Sequence, residues 1–224
     1  MKISKGMCMA IPTLKSLLPA KLKNGLTPAE KTVLERTQKG EWADLRRGKK
    51  EDDKPENAGK WGPDRTVRAE FLYWLCADPE ADKYIHAKGV RIRGAKITGE
   101  LDFEDAVLPH PLALVGCALA DGITLVDART RSLNLSGSRT GRISADRLKT
   151  AAGVFLTNGF RAEGEVRLLG ADIGGQLGCT GATFSNPTGK ALNADRLKTA
   201  GGVFLSDGFR AEGEVRLLGA DIGG

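Results

Sequence analysis

Residues 144–175 read SADRLKTAAGVFLTNGFRAEGEVRLLGADIGG, and residues 193–224 read NADRLKTAGGVFLSDGFRAEGEVRLLGADIGG, the same string 49 positions later with four differences in thirty-two. A repeat of this kind decides the architecture, because each unit stacks on its copy and buries what a lone unit would leave bare. The unit is made of short β-like pieces. Apolar-x-apolar triplets run through it and upstream of it, from Val90-Ile92, Leu101-Phe103, Leu112-Leu114 and Ile123-Leu125 to Val215-Leu217. Twelve of them follow one another at spacings of 11, 11, 11, 10, 10, 11, 12, 11, 15, 11 and 12 residues. Alternation of inward and outward residues marks a short strand with one buried face. About three positions beyond a triplet a small residue usually stands, such as Ala95, Ala106, Cys117, Ala128 or Ser138, and glycine turns the corner.

A unit of 10–12 residues is too short to circle a solenoid filled by its own side chains, whereas two of them fit one four-sided coil. Twelve half-coils then make six coils. At a strand spacing of about 4.8 Å they form a rod roughly 30 Å long. The one 15-residue gap falls on Asn186-Pro187-Thr188-Gly189-Lys190, which reads as a protruding turn.

The spacing of a small residue, one position, then Leu, Ile or Phe (Ala95-Ile97, Ala106-Leu108, Cys117-Leu119, Ala171-Ile173, Ala182-Phe184) resembles a degenerate version of the pentapeptide-repeat family. The string GFRAEGEVRLLGADIGGQLGCTGATF is also similar to uncharacterised bacterial proteins often labelled membrane-associated oxidoreductase. The fold resemblance covers roughly residues 89–224. It implies a right-handed four-sided β-helix. It also brings a functional precedent, since some family members resemble DNA in shape and charge and act on enzymes such as topoisomerases.

The first 88 residues differ in composition. Every Trp and Tyr lies before residue 85, and 18 Lys plus Arg stand there against 13 Asp plus Glu, compared with 16 against 15 in residues 89–224. Thr27-Pro28-Ala29-Glu30 reads as a helix start, with Thr27 as N-cap, Pro28 at the first helical position and Glu30 closing a capping box; Gly40 ends or breaks that helix. Residues 48–63, GKKEDDKPENAGKWGP, read as an exposed loop. Val67, Phe71, Trp74 and Leu75 put one apolar face on a second helix from about Asp64 to Ala77. An open first coil needs cover and an apolar helix face needs a partner, so residues 1–88 are assigned as an N-terminal helical cap on a solenoid spanning 89–224.

Cys8, Cys76, Cys117 and Cys179 are widely spaced with no CxxC, which implies neither a zinc site nor a disulfide framework and fits a reducing cytoplasm. Pro12, Lys15 and Pro19 interrupt the apolar residues of MKISKGMCMAIPTLKSLLPAKLK, leaving it short of a signal peptide or a spanning helix.

Each stretch of the chain that could carry chemistry also has a structural explanation. GADIGGQLGCTG carries no GxGxxG opening a helix, so its glycines read as coil corners rather than a cofactor cradle. GATFSNPTGKAL fails as a phosphate loop because Ala191 stands where Ser or Thr would hold magnesium. His86 and His110 have no neighbouring nucleophile and read as turn histidines. Glu163, Glu165 and Asp172 recur as Glu212, Glu214 and Asp221, but Arg161 and Arg167 recur with them as Arg210 and Arg216, which makes a compensated solvated face. Two groupings remain. Arg129, Arg131, Arg139, Arg142, Arg147 and Lys149 form a basic side suited to phosphate or an acidic protein surface, and Glu100, Asp102, Glu104 and Asp105 make an early coil acidic. Nucleic acid is disfavoured because the basic residues lack interleaved aromatic platforms.

The expectation is therefore a mainly β protein, a right-handed four-sided β-helix with a helical cap, acting in the bacterial cytoplasm as a non-enzymatic protein-interaction module without cofactor or metal. Its protein partner is unnamed by the sequence. One alternative is modulation of a nucleic-acid-handling enzyme. Another is peripheral membrane attachment through Leu14, Leu17, Leu18, Lys21 and Lys23. Val215, Leu217 and Ile222 belong to a last rung without a successor, which marks either a homodimer end or, where the polypeptide continues past Gly224, a surface that further coils cover.

Overall fold

A computed structural model describes residues 13–224; residues 1–12, with Cys8 and the first part of the segment weighed as a signal peptide, lie outside the described residues. From Val90 onward the chain winds through six coils, and each of the first four lays one short strand in each of four columns. The first column stacks Val90–Arg93, Leu112–Val115, Leu133–Asn134, Val154–Phe155, Leu177–Gly178 and Val203–Phe204. The second begins at Lys96–Thr98, the third at Leu101–Asp102 and the fourth at Val107–Leu108. All pairings are parallel, with like positions above one another, as in Leu112↔Leu133 and Ile123↔Ile143. The long strands Thr183–Asn193 and Arg210–Arg216 serve both the second and third columns and join them into one sheet. The fold is thus a parallel β-solenoid.

Inside a coil the side chains enter as i, i+2 pairs. In the third coil these are Leu133/Leu135, Ser138/Thr140, Ile143/Ala145 and Leu148/Thr150, all buried and all five residues apart. The half-coils of 10–12 residues are therefore two steps of five or six. The apolar-x-apolar triplets fill the first and third columns, and the pairs with at least one small member fill the second and fourth. Leu101, Leu112, Leu125, Leu133, Leu156 and Leu168 are all interior, as the triplet register expects. Where a large ring enters a small slot, its partner shrinks. Phe160-x-Ala162, Ala182-x-Phe184 and Phe209-x-Ala211 alternate coil by coil, so the rings meet edge to face with centroids 6.0 and 5.3 Å apart.

The corner after the third column is left-handed in every coil, at Asp105, Asp127, Arg147, Gly170, Arg196 and Gly219, with φ between 55 and 66°. This conformation is strained for residues other than glycine, yet the tight stack imposes it on Arg147 and Arg196. The segment read as a protruding turn, 186–190, bulges within a strand. The pairing register shifts between Ser185 and Lys190 and again before Leu192, and Asn186 Nδ2 donates to the Lys190 carbonyl at 2.9 Å.

The cap is more than helical. Its first long helix, Pro28–Lys39, starts as expected: the Thr27 side chain accepts from the Glu30 N–H at 3.0 Å, the Glu30 carboxylate accepts from the Thr27 N–H, and Gly40 ends the helix at φ 64°. Two short strands then add a rung to the first coil, Ala43–Asp44 in the first column and Thr66–Arg68 in the second. The second helix starts at Ala69 rather than near Asp64, because Val67 is already paired with Ile97 in the sheet. Helix Ala69–Ala77 lies against Leu101–Asp102 and takes the place of a third-column rung. Residues 48–63 are mostly exposed but not free. Pro55–Lys60 forms a 3₁₀ turn, and Ala58 and Trp61 are buried against Ala118.

Two arginines, Arg65 buried and Arg68 half-buried, tie the cap down. Arg68 makes a bidentate pair with the fully buried Glu30, at 2.8 and 2.9 Å. Arg65, 1% exposed, donates to the Gly94 carbonyl and to Asp53 and lies 3.6 Å over the Trp61 ring. Of the leucines weighed for membrane contact, Leu14 and Leu18 are buried in the core cluster that runs from the cap into the coils. Among the described residues no helix is long and apolar enough to cross a membrane.

Candidate functional site

At the C-terminal end the stacking stops. Val203–Phe204, Arg210–Arg216 and Asp221–Ile222 each have a neighbouring strand on one side only, so the other edge carries unpaired backbone groups. Val166 and Ile173 are fully buried in the earlier copy, but their equivalents Val215 and Ile222 are 37% and 48% exposed. Leu217 is only partly buried against the last of the core. The structure therefore brings Val215, Leu217 and Ile222 together on one open face. It adds Leu205, the copy of Leu156, which sequence reasoning passed over although the 49-residue offset points straight to it. Phe204 and Leu218 extend this apolar face outward, so five of the seven exposed large apolar side chains among the described residues lie in this coil.

The six basic residues do not share a face. A coil turns through four columns in about twenty residues, so Arg129 and Arg139, ten apart, fall in the fourth and second columns. Arg129 and Lys149 are register partners in the fourth column, with Arg131 just after it. The others have partners of their own. Arg139 pairs with Glu163 at 2.6 Å, Arg142 reaches Glu100 at 3.5 Å, and Arg147 forms a bidentate pair with Asp127. The Arg147 hydrogen bonds hold the Asp127 carboxyl below the usual carboxylate range. The duplicated charges behave likewise. Arg167 bonds Asp146 and Arg216 bonds Asp195, and each aspartate also accepts a backbone N–H, from Leu169 and Leu218.

Cys76, Cys117 and Cys179 are buried free thiols, each pushed up to about 12 by burial. They are therefore poor nucleophiles at neutral pH. His110 Nε2 stands 3.0 Å from Asp82, so this histidine joins the first coil to the cap. His86 accepts the Lys88 N–H on Nδ1 at the surface. Among the described residues no group of three or more His, Cys, Asp or Glu is placed to hold a metal ion.

The fold defines a repeat-type parallel β-solenoid whose first coil is covered by the N-terminal residues. Compared with known proteins, the chain matches no family model, no curated protein and no solved structure.

Proposed function

We propose that the chain is a non-enzymatic interaction module and that the open edge of the coil ending at Gly224 is a cohesive surface, closed by a second copy of these 224 residues or, where the polypeptide continues, by further coils. The observation that carries this reading is the exposure of Leu205, Val215 and Ile222 beside an unpaired strand edge. Covering an aliphatic side chain contributes roughly 1.5–3 kcal/mol, and a paired edge no longer templates indiscriminate association. Two identical ends related by a two-fold axis present their edges antiparallel and close the assembly at two chains. A head-to-tail contact meets the cap instead, which already occupies the first coil. The five-residue steps of residues 133–150 support the kinship with pentapeptide-repeat β-helices, and a rigid rod with a cohesive end suits a scaffold that presents its side faces to a protein partner.

Light scattering tests the reading directly. The 224-residue chain is expected to run as a dimer at micromolar concentration, and the Leu217→Lys variant as a monomer with an unchanged circular dichroism spectrum. A parent chain that stays monomeric at high concentration overturns it.

A further inference from the structure

Helix Ala69–Ala77, the short helix Ala20–Lys23 and the first coil enclose a groove of about 570 Å³ on the cap. Its floor is apolar, built from Leu22, Tyr73, Trp74 and Ala77. Tyr73 is 47% exposed, and its ring is held in place by stacking on the buried Phe103 at 5.9 Å. An aromatic face fixed open to solvent is a platform for apolar and cationic groups alike.

The rim is acidic. Glu70, Asp78, Glu100 and Asp102 line the groove against one base, Lys21. Glu70 and Glu100 already have basic neighbours, Arg68 and Lys21 for the first and Arg142 for the second. Asp78 and Asp102 have none among the described residues. Each uses Oδ1 to accept backbone N–H groups, Asp78 from Glu80 and Ala81 and Asp102 from Glu104, and leaves Oδ2 without a protein partner. Helix Ala69–Ala77 also ends at this groove, and its last turn carries no basic residue to meet the negative end of its dipole. The carboxylates and the helix end thus set up a negative field over an apolar floor, and among the described residues no base pairs with Asp78 or Asp102.

We propose that this groove docks a basic segment of another polypeptide, with an arginine or lysine between Asp78 and Asp102 and the adjoining apolar side chains on Tyr73 and Trp74. A peptide fits better than a small amine because the space holds several side chains, and most of its floor rewards apolar contact rather than charge. The surface lies on the cap, away from the bare last coil, so it stands or falls independently of dimerisation.

The test is fluorescence anisotropy on the full chain at physiological salt, with a fluorescein-labelled Arg-Leu-Lys-Phe-Arg-Leu hexapeptide as probe. Saturable binding is expected. It should weaken about tenfold in Asp102→Asn, which keeps the bond to the Glu104 N–H and loses only the charge. A similar loss is expected in Tyr73→Ser, while Asp221→Asn in the last coil should bind as the parent does. If Tyr73→Ser alters the circular dichroism spectrum, the isosteric Asp102→Asn variant decides alone. The proposal is overturned by absence of binding, by equal binding in Asp102→Asn, by equal binding of a labelled Glu-Leu-Asp-Phe-Glu-Leu peptide, or by spermidine competing as tightly as unlabelled probe.

Discussion

The first coil and the sixth coil of these 224 residues are built from the same columns, but their outer edges meet different surroundings. At the first, strands Ala43–Asp44 and Thr66–Arg68 pair with the exposed edge, helix Ala69–Ala77 covers the third column, and the Glu30–Arg68 and Arg65–Asp53 pairs bind the cover in place. At the sixth, the outer edge has no neighbour among the described residues, and the copies of fully buried residues are 36–48% exposed. A stacked coil cannot terminate itself, since every rung relies on the next for half its hydrogen bonds and much of its burial. Covering the first coil took non-repetitive sequence with buried charges and every Trp and Tyr of the chain. The last coil is a duplicate of an interior one, so its sequence is suited to being covered rather than to facing water.

The sharpest test of that contrast is one substitution made in both copies. Leu156 and Leu205 occupy the same position 49 residues apart, 1% and 36% exposed. Leu156→Asp places an unpaired carboxylate in a dry stack and is expected to cost more than about 4 kcal/mol, enough to unfold a marginal domain. Leu205→Asp faces water in the monomer and should cost under about 1 kcal/mol. Urea unfolding with both variants held as monomers decides. Equal losses would mean that the last coil is not open.

The covered end breaks next. Arg68→Ala leaves the Glu30 carboxylate buried without its counter-charge, which should cost about 3–5 kcal/mol. It should also free the cap, seen as early loss of Trp74 fluorescence in the unfolding curve. A loss below about 1 kcal/mol would show that the pair does not anchor the cover.

These two ends also differ in how far their sequence discloses them. The triplets were legible because a period of two inside a longer period admits few structures, and Thr27, Pro28 and Glu30 were legible because a helix start is written in four adjacent residues. The Glu30–Arg68 and Arg65–Gly94 bonds join residues 38 and 29 positions apart, and nothing local marks them. Strand Ala43–Asp44 is two residues long and exists only because Ile92 and Arg93 offer it an edge. The basic group failed as a face for a geometric reason. Neighbours along the chain are not neighbours around a coil, so a cluster in sequence becomes a ring in space unless its members are about one coil apart.

Thiols report the same asymmetry with a smaller effect. Burial holds Cys76, Cys117 and Cys179 near 12, whereas an unfolded thiol ionises near 8.5. The folded state therefore keeps the proton while the unfolded state sheds it. The sign follows: these groups leave stability unchanged below about pH 8.5, and each subtracts about 1.4 kcal/mol per pH unit above it. A Cys117→Ala, Cys179→Ala variant should lose less stability than the parent on raising the pH from about 8.5 to 10. In the native parent, iodoacetamide should reach Cys179, one coil from the bare end, before Cys117 near the cap. The reverse order would place the weaker end at the cap.

The smallest effect isolates what stacking imposes on the backbone apart from either end. Arg196 holds the left-handed corner of the fifth coil at φ 56°, the place that Gly170 and Gly219 fill in the coils before and after it. It makes no ion pair among the described residues, so replacing it tests conformation with little loss of contact. A left-handed arginine is strained by about 1–2 kcal/mol, and the greater freedom of glycine in the unfolded chain offsets about 0.4–1 kcal/mol of the relief. Arg196→Gly should therefore stabilise by about 0.5 kcal/mol, and Gly170→Ala at the equivalent corner should destabilise. Paired urea midpoints read both signs. If Arg196→Gly were destabilising, the corner would be held by contacts of the arginine stem, and the stack rather than local preference would account for every left-handed corner in the solenoid.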